Sequence, residues 1–164
     1  MIGITLSGTE YRILRGIGKL RHEKTSEQAI ENIQSQKDPI EISIQGVITE
    51  YAVAKFLNLN FDLDCDYRTF GADLIGHRGT LIEVKSTETV GGNLNAVKKS
   101  LSKPCDVFVL TEIHSTHVAI VGWIQRERFL VEKNIRQGRL GLYYSVSQSE
   151  LYPFYEPSDK KALW

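Results

Sequence analysis

The apolar residues of this chain change their spacing after about the first third of the sequence, and that change limits the folds open to it. Before it, Ile44, Val47, Ile48, Tyr51 and Ala52 recur at steps of three and four residues, the spacing of one helix face. After it, short β-prone runs separated by turn residues replace the helical pattern. Helices followed by strands predict an α/β fold, in which helices flank a mixed, mostly antiparallel sheet.

Capping residues define two helices before the strands. The sequence Ser-Gly-Thr-Glu at 7–10 has the form of a capping box and predicts a first helix over about residues 8–23. Asp38 followed by Pro39 predicts the start of a second, longer helix, which should end near Asn58.

Several later runs are rich in β-branched and aromatic residues, and turn residues separate them. A single domain is expected from the length of 164 residues. The core of this domain should span 39–124, with an N-terminal helical extension at 1–38 and a C-terminal extension at 125–164. Within these parts we expect strands at 67–70, 72–76, 80–87, 106–113, 118–123 and 142–146, a helix at about 94–102 and a short helix near 126–133.

Composition limits the partners and the compartment. The 20 basic and 20 acidic residues cancel, so any nucleic-acid surface must be a local patch rather than a field of the whole protein. Cys65 and Cys105 lack metal-ligand spacing and are expected to be free thiols in a reducing compartment. Neither a signal-peptide pattern nor an apolar run of about 18 residues is present. We therefore expect a cytoplasmic protein with no membrane partner.

The segment 71–86 carries the residues best suited to chemistry. In a strand, Glu83 and Lys85 share one face because side chains alternate. If residues 77–79 form a three-residue turn with Gly79 in the left-handed conformation, residue 76 faces residue 80. That register puts Asp73 directly opposite Glu83.

Two opposed carboxylates destabilise a sheet unless a cation lies between them. Grouped carboxylate oxygens suit Mg²⁺, and a neighbouring lysine can orient or help to deprotonate an attacking water. The alternative is that Asp73 only begins a strand and that Glu83 and Lys85 form a surface ion pair, worth at most ~1 kcal/mol. Ile82 and Val84 argue against that alternative, because they make the strand too apolar for an open surface.

A third acidic residue lies on the second predicted helix. Glu50 stands at the margin of the apolar stripe, from which its side chain can face the sheet. The alternative is a boundary glutamate that pairs with Lys55 or with solvent.

The order of these pieces, Gly46 to Glu50, then Ala72-Asp73, then Ile-Glu-Val-Lys-Ser at 82–86, resembles the PD-(D/E)xK nuclease superfamily. The resemblance covers about 44–113, including a strand that begins near Cys105. Ala72 stands where the family name has proline. The resemblance implies a restriction-endonuclease-like core and hydrolysis of DNA to a 5′-phosphate and a 3′-hydroxyl.

The resemblance also implies roles for individual residues. Asp73, Glu83 and the Val84 carbonyl would bind Mg²⁺ or Mn²⁺, Lys85 would handle the water, and Glu50 would complete or supplement the metal site. DNA contacts are expected from side chains that could meet phosphates. These side chains are Ser86, Lys98, Lys99, Arg12 and Arg15.

The quaternary structure and the substrate stay open at this point. Cleavage of both strands of a duplex favours two active sites, so a homodimer or a higher homo-oligomer is expected. Three alternatives remain beside a nuclease that cuts duplex DNA. They are a junction resolvase or repair nuclease of the same fold, an inactive nucleic-acid-binding or assembly module, and a small regulatory or structural protein without nucleic acid.

Overall fold

The computed structural model describes residues 1–27, 38–66, 71–139 and 141–154, without the side chains of Ser26, Glu27 and Lys99. The strand expected at 67–70 lies outside these residues. In chain order the elements are β1 (Ile2–Thr5), α1 (Gly8–Glu27), α2 (Pro39–Leu57), β2 (Leu74–Ile75), β3 (Leu81–Thr87), β4 (Leu94–Val97), β5 (Val107–His114), β6 (His117–Gln125), α3 (Arg126–Phe129), β7 (Ile135–Gly138) and β8 (Gly141–Val146), with 3-10 turns at Lys98–Leu101, Glu132–Asn134 and Gln148–Glu150.

Both long helices begin where their caps predict. The Ser7 hydroxyl accepts a hydrogen bond from the Glu10 amide at 3.1 Å, and the Glu10 carboxylate accepts one from the Ser7 amide at 2.7 Å. Asp38 accepts a hydrogen bond from the amide of residue 40 at 2.9 Å and so caps α2. Helix α2 ends at Asn58, which adopts the left-handed conformation with φ 56°.

The main sheet has five strands in the order β1-β6-β5-β3-β2. Three of its pairings are antiparallel, and the pairing of β3 with β5 is parallel. The mixed, mostly antiparallel sheet flanked by helices is therefore confirmed. Strand β1 was not predicted, and it brings residues 2–5 of the expected N-terminal extension into the sheet as an edge strand.

The hairpin of β2 and β3 has the predicted register. Leu74 pairs with Ile82 and Ile75 pairs with Leu81, so one further step along the same register puts Asp73 opposite Glu83. The Gly76 amide donates to the Thr80 carbonyl at 2.8 Å and closes the turn. Gly79 has φ +82°, the left-handed conformation that the three-residue turn requires.

A second, three-stranded sheet has the order β4-β8-β7. It lies against the face of the main sheet that is opposite helix α2. Its existence corrects the predicted helix at 94–102, since residues 94–97 form β4 and only 98–101 turn helically. Leu94 and Ala96 are buried while Asn95 is exposed, a period of two that pairing with β8 enforces. The good helix propensity of Ala and Lys in this segment is outweighed by that tertiary pairing.

The two faces of the main sheet form separate parts of the core. Helix α2 packs on one face through side chains such as Val53 and Leu57, which lie against Val84 and Val109 of the sheet. On the other face Phe108 of β5 meets Phe129 of α3 with ring centroids 4.9 Å apart. The short helix expected at 126–133 is thus one turn, α3, followed by a 3-10 turn.

Helix α1 lies against α2 at a very close approach. A Cβ at Gly18 would stand 2.6 Å from the Cα of Ile44, so only glycine fits there without a shift. This contact fixes α1 over α2 and brings side chains from the second half of α1 toward the sheet.

Among the described residues, no helix combines the length and the apolar character that a membrane span needs.

Candidate active site

Strand β3 carries two of the predicted site residues into a partly buried position. Ile82, Glu83 and Val84 are buried, and Lys85 is half-buried. Glu83 is only 3% exposed, which excludes the alternative of a surface ion pair for this carboxylate. The Lys85 ammonium lies 2.7 Å from Glu83 Oε1.

The backbone around Lys85 is tied to the neighbouring strand. Thr111 of β5 is fully buried, and its hydroxyl donates to the Lys85 carbonyl at 3.1 Å. This bond adds to the parallel pairing of β3 with β5, in which Lys85 lies beside Leu110. Lys85 therefore projects from a rigid strand rather than from a loop.

Asp73 lies just before β2 and reaches across to β3. Its Oδ2 accepts a hydrogen bond from the Val84 amide at 2.8 Å. In an extended strand the amide and the carbonyl of one residue point to the same side, so the Val84 carbonyl faces the same edge as Asp73. The two carboxylates and this carbonyl therefore lie along one edge of the hairpin.

A lysine that the sequence interpretation did not assign to the active site enters it from the segment before β5. The Lys103 ammonium lies 3.1 Å from Asp73 Oδ1 and 2.5 Å from Glu83 Oε2. It therefore bridges the two carboxylates that the hairpin register opposes. From the sequence alone, Lys103 belongs with Lys98 and Lys99 to a basic set that could neutralise DNA phosphates.

The Lys103 ammonium is the charged partner of Glu83 Oε2, at 2.5 Å. Glu83 Oε2 is buried, and no other donor among the described residues reaches it. A buried carboxylate oxygen is costly unless its partners replace the water that it has lost. Each carboxylate oxygen has two lone-pair sites, so Glu83 Oε2 can accept from a further ligand besides Lys103.

The ionisation of the site follows from burial and from these four charges. Burial, followed by the Glu83 carboxylate, raises the pKa of Asp73 against the opposing effect of Lys103. Burial also acts to raise the pKa of Glu83, but the ammonium groups of Lys85 and Lys103 outweigh it and the net pKa is lowered. Burial lowers the pKa of Lys103, and the two carboxylates reverse this to a net rise. Two carboxylates and two ammonium groups therefore share the site as a partly buried network.

Glu50 lies on α2 near this network, and its direct partner comes from α1. Its Oε2 accepts a hydrogen bond from Arg21 Nη1 at 3.1 Å, so neither Lys55 nor solvent is its main partner. Burial raises the pKa of Glu50 to about 8, and the Asp73 carboxylate adds to the rise, while Arg21 opposes it.

Arg21 itself connects three parts of the fold. Besides Glu50, it donates to the carbonyls of Asp62 at 2.7 Å and Asp64 at 3.1 Å, and its guanidinium lies over the ring of Phe61. Arg21 therefore fixes the loop after α2 beside the site. Sequence reasoning assigned Arg21 no role at the site.

The described residues contain no group of three Asp, Glu, His or Cys side chains arranged to hold a metal ion. The oxygen donors that the hairpin does align are the carboxylates of Asp73 and Glu83 and the Val84 carbonyl. These are hard oxygen ligands of the kind that Mg²⁺ and Mn²⁺ take. The residues present therefore fit a divalent cation by their chemistry, with Lys103 as the cation now between the two carboxylates.

A cleft of about 480 Å³ opens beside Asp73. It gives a route by which a ligand can reach the Asp73 side of the acidic pair. The other residues that line it, from the loop after α2 and from the hairpin, are Asn58, Leu59, Asn60, Asp62, Ala72, Leu74, Ile75, Gly76 and His77.

The residues predicted to contact DNA differ in their exposure and in their partners within the fold. Ser86 is exposed on β3, one residue beyond Lys85, and Lys98 is exposed in the 3-10 turn. The side chain of Lys99 lies outside the described part of the chain. Arg15 forms an ion pair with Glu41 at 2.6 Å, and Arg12 donates to a carbonyl of its own helix. Ser86 is thus the one that lies beside the site in sequence and on the same strand.

Comparison of the chain with protein-family models, with curated proteins and with solved structures finds no match in any of the three.

Proposed function

We propose that this chain is a metal-dependent endonuclease of the PD-(D/E)xK type that hydrolyses DNA phosphodiester bonds. The observation that carries the proposal is the opposed pair of carboxylates, Asp73 and Glu83, with Lys85 two residues along the same strand and bonded to Glu83. An α/β core with a mixed sheet agrees with the expected fold class.

The energetics of the site favour a functional role over a purely structural one. Removing a carboxylate from water costs several kcal/mol, on the order of what a well-bonded ion pair returns. Here Glu83 is buried, and a second carboxylate stands opposite it. An arrangement that served stability alone would be better replaced by apolar side chains of similar volume.

The site residues suit a bound Mg²⁺ or Mn²⁺. Asp73, Glu83 and the Val84 carbonyl would hold the cation, and Glu50 would supplement them from α2. When bound, the cation supplies charge neutralisation at the phosphate and acidifies water beside it.

The chain's own residues would orient the reactants. Lys85 would orient the attacking water and offset the charge of the phosphate, on a backbone that Thr111 holds through the Lys85 carbonyl. The water oxygen bonds to phosphorus, the bond from phosphorus to the 3′ oxygen breaks, and one water proton ends on that 3′ oxygen. The products are a 5′-phosphate and a 3′-hydroxyl.

The DNA would approach along the exposed side of the site. Ser86 follows Lys85 in sequence, with its exposed side chain on the other face of β3, and Lys98, Lys99, Arg12 and Arg15 are further candidates for phosphate contacts. A homodimer would supply a second site for the second strand of a duplex, and the mass in solution tests this point.

The test is cleavage of supercoiled plasmid, four-way junction and single-stranded DNA with Mg²⁺ or Mn²⁺. Wild type is compared with Lys85→Ala and with Lys55→Ala, since Lys55 forms an ion pair with Glu10 at the same 2.7 Å. We expect Lys85→Ala to lose about 10²–10⁴-fold in rate and Lys55→Ala to keep the wild-type rate. Preference for the junction would indicate a resolvase, and binding without cleavage would indicate an inactive module and refute the nuclease.

A further inference from the structure

Lys103 occupies a distinctive position among the charged residues of the site. Its ammonium contacts both Asp73 Oδ1 and Glu83 Oε2, at 3.1 and 2.5 Å. Lys85, by contrast, contacts only Glu83, through the other oxygen, Oε1. The two lysines therefore contact different oxygens of Glu83. Of the two, only Lys103 contacts both carboxylates.

A divalent cation held by Asp73 and Glu83 would need the oxygens that Lys103 now contacts. Two cations cannot share that space, because at a few ångströms in a partly buried site their repulsion amounts to several kcal/mol. Lys85 can stay in place, since its bond is to Glu83 Oε1.

Lys103 is also able to leave. Its side chain is 35% exposed, against 4% for that of Glu83, so a path to solvent exists for the ammonium. Its contact with Glu83 Oε2 is an ion pair, which a divalent cation at the same oxygen could replace. Its long stem carries several rotatable bonds, so the ammonium can be relocated without moving the backbone of residue 103.

We propose that Lys103 is an internal counter-ion of the metal-free site, which competes with the divalent cation for Asp73 and Glu83 and moves out when that cation binds. This inference rests on the proposed function, because it requires a metal at the acidic pair. In the metal-free protein Lys103 keeps two opposed carboxylates from repelling each other. In the metal-bound protein its ammonium is exposed beside the cleft, where a substrate phosphate could meet it.

The first test measures Mn²⁺ binding by calorimetry without DNA, in wild type, Lys103→Met and Lys55→Met. Removal of the competing ammonium should lower the Kd of Lys103→Met on the order of tenfold, a size of coupling common between linked ligands. Lys55→Met, which removes an equal charge from the ion pair with Glu10, should bind as wild type does. Circular dichroism checks that each variant is folded, and Lys103→Gln provides a second, polar replacement.

The second test uses wild type alone and so does not depend on the folding of any variant. Reductive methylation of lysines is followed by mass spectrometry with and without Mn²⁺, and Lys55 serves as the internal reference. Methylation of Lys103 should increase when Mn²⁺ is added, because the ammonium leaves its two carboxylates.

The outcomes separate the two proposals. Mn²⁺ binding by wild type, with an unchanged or higher Kd in the Lys103 variants and unchanged methylation, overturns the role of Lys103 and leaves the metal site standing. Absence of Mn²⁺ binding in every protein overturns the metal-dependent nuclease itself, and with it the counter-ion.

Discussion

Replacement of Glu50 by glutamine should stabilise the metal-free protein, and more so as the pH rises. The pKa of Glu50 is raised by burial to about 8, from an ordinary value near 4.5. Between these values the folded protein holds a proton that the unfolded chain has released, so folding loses stability as pH increases. Glutamine has the same shape, can accept the hydrogen bond from Arg21, and never has to be ionised.

The size of the effect follows from the width of that pH window. Each pH unit inside it changes the free energy of unfolding by up to about 1.4 kcal/mol. From pH 5.5 to pH 7.5 the advantage of Glu50→Gln over wild type should therefore grow by on the order of 2 kcal/mol, because the whole interval lies below the folded pKa. Below pH 4.5 the two proteins should differ little, since Glu50 is then protonated in both states.

Urea unfolding of wild type and Glu50→Gln is measured at pH 5.5 and at pH 7.5, in EDTA. The quantity tested is the change with pH in the difference between their free energies of unfolding. Glu10→Gln is the control, because the Lys55 ammonium, the Ser7 amide and the Tyr51 hydroxyl lower the pKa of Glu10 to about 2. Glu10 is ionised in the folded state at both pH values, so its variant should be destabilised equally at each. If the difference between Glu50→Gln and wild type is the same at both pH values, the buried, proton-holding state of Glu50 is refuted.

Three further substitutions test two packing contacts and one helix cap. Gly18→Ala should lose about 1–3 kcal/mol in urea unfolding despite the helix propensity of alanine, because the new Cβ meets the Ile44 backbone; a stabilised variant would contradict that close approach. Phe129→Ala should lose about 3–5 kcal/mol yet unfold in one transition by fluorescence and circular dichroism, and two transitions would show that the second sheet is a separate unit. Asp38→Ala should lower the free energy of unfolding by about 1 kcal/mol, and an unchanged value would exclude the cap on α2.

Local signals explain why much of the fold could be predicted from the sequence. The capping box at Ser7, the cap at Asp38 and the glycine turn at Gly79 each act within a few residues. The register of the hairpin follows from its turn alone, and therefore Asp73 could be paired with Glu83 before the structure was known.

Long-range contacts explain what could not be predicted. Strand β4 was expected to be helical because its pairing with β8 lies about fifty residues away in sequence, where no local pattern indicates it. Strand β1 is an edge strand of four residues, too short for a periodicity signal. Lys103 and Arg21 reach the site through side chains from elements distant in sequence, so only the tertiary structure brings them to Asp73 and Glu50.

The central claim is that DNA hydrolysis occurs at the acidic pair of the hairpin, and Asp73→Asn tests it most directly. Asp106→Asn is the matched control, because the Asp106 carboxylate also accepts a backbone hydrogen bond at 2.8 Å, from Leu81, just as that of Asp73 does from Val84. With Mg²⁺ and plasmid DNA, Asp73→Asn should lose on the order of a hundredfold or more in cleavage rate. Asp106→Asn should cleave as wild type does. Equal cleavage by wild type and both variants would contradict the account, because the activity would then not depend on the acidic pair.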